Sequence, residues 1–141
     1  MFSSFIDGGS RGNPGIAGIG VVILKDNKLY HEFYKYIGKT SNNVAEYLAL
    51  IHCLYYLELN NIRECLIHSD SELIVRQING QYKVRHKDLI PLYNECMKYF
   101  TDKFKYKMIH IPREKNKRAD LLANQAMDDG MKGAIAEPLP K

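Results

Sequence analysis

Phe2-Ser3-Ser4-Phe5-Ile6-Asp7-Gly8-Gly9-Ser10-Arg11-Gly12-Asn13-Pro14-Gly15 begins as an apolar run that an acid cuts short, and small, turn-forming residues follow at once. Phe2 to Ile6 suits a strand, whereas aspartate is a poor strand residue and glycine frees the backbone from its usual steric limits. The reading is a strand over Phe2–Asp7 with a carboxylate at its end. Gly8 and Gly9 then leave bare backbone beside that carboxylate, which a bulky ligand could approach. An aspartate that only opens a turn fits the same residues, so the positions of the other acids decide between the two.

Beyond this segment, Gly18 to Lys25 is β-branched and apolar and reads as a buried strand. Asp26-Asn27 supplies a tight turn into Lys28–Ile37. There strict alternation puts Leu29, His31, Phe33, Lys35 and Ile37 on one face, giving an antiparallel meander of three strands. Thr40 to Asn43 is a run of capping residues before a helix over Val44–Leu59. A short strand ends at Ser69, a helix runs from Glu72 to Ile78, and Asp88 is expected to cap another reaching about Phe100. Phe104 to Ile111 alternates as a strand, and the last helix spans Lys117 to Met127. The order βββαβααβα predicts an α/β domain with a five-stranded mixed sheet, the meander plus two further strands, flanked by helices. The expected division is a catalytic domain over 1–129 and a tail over 130–141.

Composition excludes several function classes. The 141 residues are 45% hydrophobic and 26% charged, which suits one globular domain with a core of its own. No apolar run is long enough to span a bilayer and the N-terminus lacks a signal-peptide pattern, so a cytoplasmic location is expected, without membrane partners. The three cysteines, Cys53, Cys65 and Cys96, form no C-x-x-C pair, and the five histidines show no zinc spacing. The net charge of +4 is mild, but basic residues crowd from Lys103 to Arg118 and would attract a polyanion.

The acids carry the chemistry. Asp7 ends the first strand, Asp70 the fourth, Glu46 lies in the first turn of the long helix and Asp120 in the first turn of the last. Ligands of open α/β sheets gather where strands end and helices begin. If strands one and four run parallel as neighbours, Asp7 and Asp70 end side by side, and Glu46 and Asp120 lean in from flanking helices. Four carboxylates in one pocket repel strongly unless hard cations neutralise them, and all-oxygen ligation suits Mg²⁺ or Mn²⁺. Two such ions about 4 Å apart stabilise both the attacking and the leaving oxygen of a phosphodiester displacement.

At these residues the chain resembles the type 1 ribonuclease H family. The matching motifs are Asp7–Gly15; Thr40-Ser41-Asn42-Asn43-Val44-Ala45-Glu46; Ser69-Asp70-Ser71; and Pro112-Arg113-Glu114-Lys115-Asn116-Lys117-Arg118-Ala119-Asp120. They occur in the family's order over roughly Met1 to Met127. The resemblance implies a ribonuclease H-like fold and hydrolysis of the RNA strand of RNA–DNA hybrids with two Mg²⁺ ions, for which Mn²⁺ substitutes, leaving 5′-phosphate and 3′-hydroxyl ends. It makes Asp7, Glu46, Asp70 and Asp120 the metal ligands. It puts Asn13, Asn42 and Asn43 against sugars and minor-groove edges, with Gly8, Gly9, Ser71 and Asn116 on the same substrate side. Amides both donate and accept, so they suit a ribose 2′-hydroxyl.

Three departures qualify the resemblance. Only Tyr82 to Lys87 separates Gln81 from Asp88, where many members carry an extra helix and basic loop, so the chain is similar to the compact archaeal-type branch. Lys83, Arg85 and Lys87 are expected to compensate. Arg113 stands where many members have a mobile histidine; it cannot act as a base but suits a phosphate, while His110 falls within a strand. Glu72 replaces a glutamine found in several members. The archaeal-type resemblance leaves double-stranded RNA open as a second substrate, and a monomer is expected. The alternative from another class is a hybrid-binding module of the same fold that cuts slowly or not at all.

Overall fold

The computed structural model describes residues 1–137, so positions 138–141 of the expected tail lie outside the described residues. Five strands form one sheet in the order β3-β2-β1-β4-β5. β1 (Phe2–Gly12), β2 (Gly15–Lys25) and β3 (Lys28–Thr40) are the antiparallel meander, and β4 (Glu64–Ser69) and β5 (Lys105–His110) add on parallel to β1. Asp26 and Asn27 both adopt positive φ, 52° and 66°, the pairing a tight two-residue hairpin turn requires. The five-stranded mixed sheet that the order of elements predicts is thus present, in keeping with the ribonuclease H-like fold that the resemblance implies.

The first strand departs from expectation. β1 does not stop at Asp7, because its antiparallel pairing with β2 continues through Asp7↔Gly20 to Gly12↔Gly15. What ends near Asp7 is the parallel ladder with β4, whose last pair is Ile6↔Ser69. The third strand departs too. Register shifts in the β2–β3 ladder turn Leu29 away from the face of His31 and Phe33. Leu29 joins Glu32 and Arg118 on one side of the sheet, while His31 and Phe33 meet the ring of Tyr56 on the other.

Helices α1 (Asn42–Leu59), α2 (Glu72–Ile78) and α3 (Ile90–Met97) lie on one face and α4 (Lys117–Met131) on the other. α1 is buried without a break from Ala45 to Leu54, and its Leu50, Leu54 and Leu57 pack with Ile6, Ile23 and Ile67 of the sheet. Ser41, not an asparagine, caps it: its Oγ accepts from the Val44 amide at 3.2 Å. α3 is shorter than expected, and Asp88 does not cap it; Leu89 precedes the helix with no side-chain bond. α4 runs past Met127 to Met131, and Arg11 pairs with Asp128 in its last turn at 2.7 Å. All three cysteines are free and buried. Among the described residues no helix is long and apolar enough to cross a membrane.

Candidate active site

Parallel pairing of β1 with β4 sets the first two carboxylates. Asp7 and Asp70 each follow the last residue of that ladder, so both emerge at the same end of adjacent central strands. Glu46 arrives from α1, one turn into the helix rather than in its first turn. The close approach of α1 depends on Gly8: a Cβ there would lie 2.2 Å from the Ala45 carbonyl oxygen. With no side chain in the way, the Gly8 amide donates to Glu46 Oε1 at 2.9 Å. The room that sequence reading reserved for a ligand at Gly8 is therefore filled by helix backbone.

Asp7, Glu46 and Asp70 each present an oxygen within 4.8 Å of the others. Asp120, in the first turn of α4, adjoins Asp7 on the far side, where its charge and a shared hydrogen bond act on Asp7. Asp7 and Glu46 are buried, while Asp70 and Asp120 are half-buried. Burial first, then the charges of Asp70 and Asp120, push the Asp7 carboxyl up to about 8, with Arg113 pulling weakly downward. Glu46 is raised well above the usual carboxylate range by burial and by Asp7 and Asp70, against the opposing pull of the Gly8 amide and Arg113. No lysine or arginine forms an ion pair with any of these acids among the described residues. Burial and mutual repulsion resist ionisation of Asp7 and Glu46, and among the described residues no cationic side chain pairs directly with the cluster, so it fits a hard divalent ion, which offers the missing charge.

The other predicted residues divide into two groups. Asn13, Asn42 and Asn43 are exposed on the rim. Asn13 Oδ1 accepts from the Asn42 amide at 3.0 Å and Asn42 Oδ1 from the Ser10 amide at 3.3 Å, which fixes the two carboxamides; among the described residues their NH₂ groups have no hydrogen-bond partner. Gly9 lies beside Asn42, its missing Cβ in ordinary contact distance of Asn42 Oδ1. Arg113 is exposed on a 3₁₀ turn, Arg113–Lys115, and its charge reaches both Asp7 and Glu46. His110 ends β5, as the strand reading expects. Glu72 pairs with Arg76 at 3.4 Å.

The second group lies away from the open rim. Ser71 caps α2, its Oγ accepting from the Ile74 amide at 3.3 Å. Asn116 is only 1% exposed and sits beneath the carboxylates, donating to Ile6 O and to Asp70 Oδ2.

Sequence reading missed Gly20. It faces Asp7 across the β1–β2 ladder, and a Cβ there would lie 2.4 Å from the Ala119 carbonyl oxygen. Gly20 thus lets α4 settle close enough to carry Asp120 to Asp7. The legible signal was Gly18 and Gly20 alternating on one strand face, with Ala119, Ala123 and Ala126 at helical spacing.

Known proteins share this fold and much of this sequence. A family described as reverse transcriptase-like matches residues 5–126. The bifunctional protein Rv2228c of Mycobacterium tuberculosis is 39% identical over 136 residues, 95% of this chain, yet the chain spans only 37% of that relative's length. Ribonuclease HI of Halobacterium salinarum is 35% identical over 89% of this chain and 64% of its own. LC11-RNase H1, isolated from compost and crystallised with an RNA/DNA hybrid, superposes with a TM-score of 0.87 at 43% identity, covering 93% of this chain and 99% of that one.

Proposed function

This chain belongs to the type 1 ribonuclease H family, and we propose that it hydrolyses the RNA strand of RNA–DNA hybrids. The observation that supports this most is the convergence of Asp7, Glu46 and Asp70 within 4.8 Å from three separate elements, with Asp120 alongside. In this reading the four carboxylates hold two divalent ions, Mg²⁺ or Mn²⁺ in its place. When bound, these ions supply Lewis-acid activation of water and stabilisation of the leaving 3′-oxygen, giving 5′-phosphate and 3′-hydroxyl ends.

The chain's own residues do the rest. Gly8 holds Glu46 in place through its amide, and the parallel ladder holds Asp7 against Asp70. The NH₂ groups of Asn13 and Asn42, with Asn43 beside them, recognise ribose 2′-hydroxyls and minor-groove edges, and so choose the RNA strand. Arg113, exposed within reach of the carboxylates, binds a substrate phosphate through its planar donors. Lys83, Arg85 and Lys87, all exposed, strengthen the grip on the hybrid in place of a larger basic loop.

The test is a hybrid labelled on its RNA strand, incubated with Mg²⁺, with Mn²⁺ and with chelator, beside a double-stranded RNA of the same sequence. Cleavage of the hybrid's RNA to 5′-phosphate ends, lost with chelator, is expected. Retention of intact hybrid in both metals would leave the non-cleaving binding module as the better reading. The duplex RNA lane reports whether the Asn13–Asn43 rim tolerates two ribose strands.

A further inference from the structure

Asn116 occupies the position that caps α4, and asparagine there ordinarily accepts a hydrogen bond from an amide of the first turn through its Oδ1. Here it does not. No side-chain cap bond forms, and Oδ1 is buried with no partner among the described residues. Instead the amide is turned the other way. Nδ2 donates to the Ile6 carbonyl at 2.8 Å and to Asp70 Oδ2 at 3.0 Å. Both of those atoms are acceptors, so the NH₂ end must face them and the amide cannot be flipped. The backbone of the same residue accepts from the Asp120 amide at 3.1 Å.

One buried residue therefore touches all three supports of the site other than α1. It binds the β1 residue just before Asp7, the Asp70 side chain itself, and the first turn that carries Asp120. A helix cap has been given up and an acceptor left orphaned to make these bonds. A stranded buried acceptor is rare and costs stability, so stability alone does not account for the arrangement.

We propose that Asn116 is a positioning residue that locks Asp70 against Asp7 and Asp120, so that the carboxylates stand ready for divalent cations before any nucleic acid arrives. This rests on the ribonuclease reading of the carboxylates. It differs from a substrate contact, because at 1% exposure Asn116 offers no surface to a hybrid. Residues that orient metal ligands cost about 10- to 100-fold in metal affinity or activity when removed.

The experiment compares wild type with Asn116→Ala and Asn116→Asp, using calorimetric titration with Mn²⁺ in the absence of nucleic acid, then hybrid cleavage at varied Mn²⁺. Leu57→Ala, in the core on the α1 face, is the stability control. Expected are Mn²⁺ affinity weaker by about 10- to 100-fold in both Asn116 variants, a matching rise in half-saturating metal, and unchanged KM for hybrid at saturating metal. Leu57→Ala should keep wild-type metal affinity. Wild-type metal affinity in Asn116→Ala would overturn the proposal, as would a raised hybrid KM with unaltered metal dependence. Should the variants not fold, the Asn116 side-chain NH₂ signals of the intact protein decide. They should be protected from exchange and shift on Mn²⁺-free Mg²⁺ titration; rapid exchange and no shift would overturn the assignment. If wild type itself binds no divalent ion, the reading of the carboxylates falls as well, an outcome distinct from failure at Asn116 alone.

Discussion

The two faces of the sheet are built on different principles. On the α1 face, large apolar side chains such as Leu50, Leu54, Leu57, Ile6, Ile23 and Ile67 fill the space between layers. On the α4 face, the buried cluster is small, centred on Val22, Ala119 and Leu122, and the helix nearly touches the strands over Gly20. Burying branched side chains is what stabilises the domain. Close backbone approach is what carries a side chain at a helix start to a chosen point. The α1 face does both, because Gly8 punctures an otherwise thick core where Glu46 must reach Asp7. The lesson is that glycines near the site measure how far each helix leans in.

The sharpest way to break this contrast is to remove a charge where the faces meet. Asp70→Asn should lower hybrid cleavage by about a thousandfold or more. Its melting temperature in metal-free buffer should equal or exceed that of wild type, since one charge leaves a crowded cluster. A large loss of stability would assign Asp70 a structural role instead.

Next in size are truncations on the two faces. Leu54→Ala should cost about 2–5 kcal/mol in urea unfolding, while Leu122→Ala should fall at the low end of that range, because Leu122 belongs to the smaller cluster. Equal losses would dissolve the distinction. Gly20→Ala should cost about 1–3 kcal/mol through overpacking against the Ala119 backbone. Its cleavage rate should fall further than that of Leu122→Ala, since the push displaces Asp120 directly.

A pH-dependent effect follows from protonation. Asp7 titrates near 3.8 when unfolded and about 8 when folded, so the folded state holds its proton over that interval and the unfolded state does not. Stability of the metal-free protein should therefore fall as pH rises from about 4 to 8, by at most about 1.4 kcal/mol per pH unit for one group. Asp70→Asn should flatten that slope, and saturating Mg²⁺ should reverse it. The smallest expected change comes from reversing Lys83, Arg85 and Lys87 to glutamate. Hybrid KM should rise and its salt dependence weaken, with cleavage at saturating hybrid nearly unchanged; an unaltered KM would remove the loop from the binding surface.

Much of this was legible in the chain. Alternation in Lys28–Ile37, the apolar run of Gly18–Lys25 and the capping residues before Val44 announced the meander and the long helix. The spacing of the acids also pointed to a shared cluster, and Asp7, Glu46 and Asp70 do present oxygens within 4.8 Å of one another, although β1 runs on past Asp7 and Glu46 lies beyond the first turn of α1. Other features were not legible. The hydrogen-bond ladder carried β1 past Asp7 because β2 supplied a partner that no local propensity reports. A register shift moved Leu29 to the opposite face, and a side chain's face depends on pairing, not only on alternation.

Residue type and spacing along the chain determined which elements form and which groups are acidic, since both follow from local preference and side-chain chemistry. Only the tertiary structure decided how closely those acids meet, that Gly8 and Gly20 admit helix backbone, and that Asn116 turns from its helix toward Asp70. The reason is physical: distances between remote segments are set by what packs between them, and no stretch of sequence contains both sides of that contact.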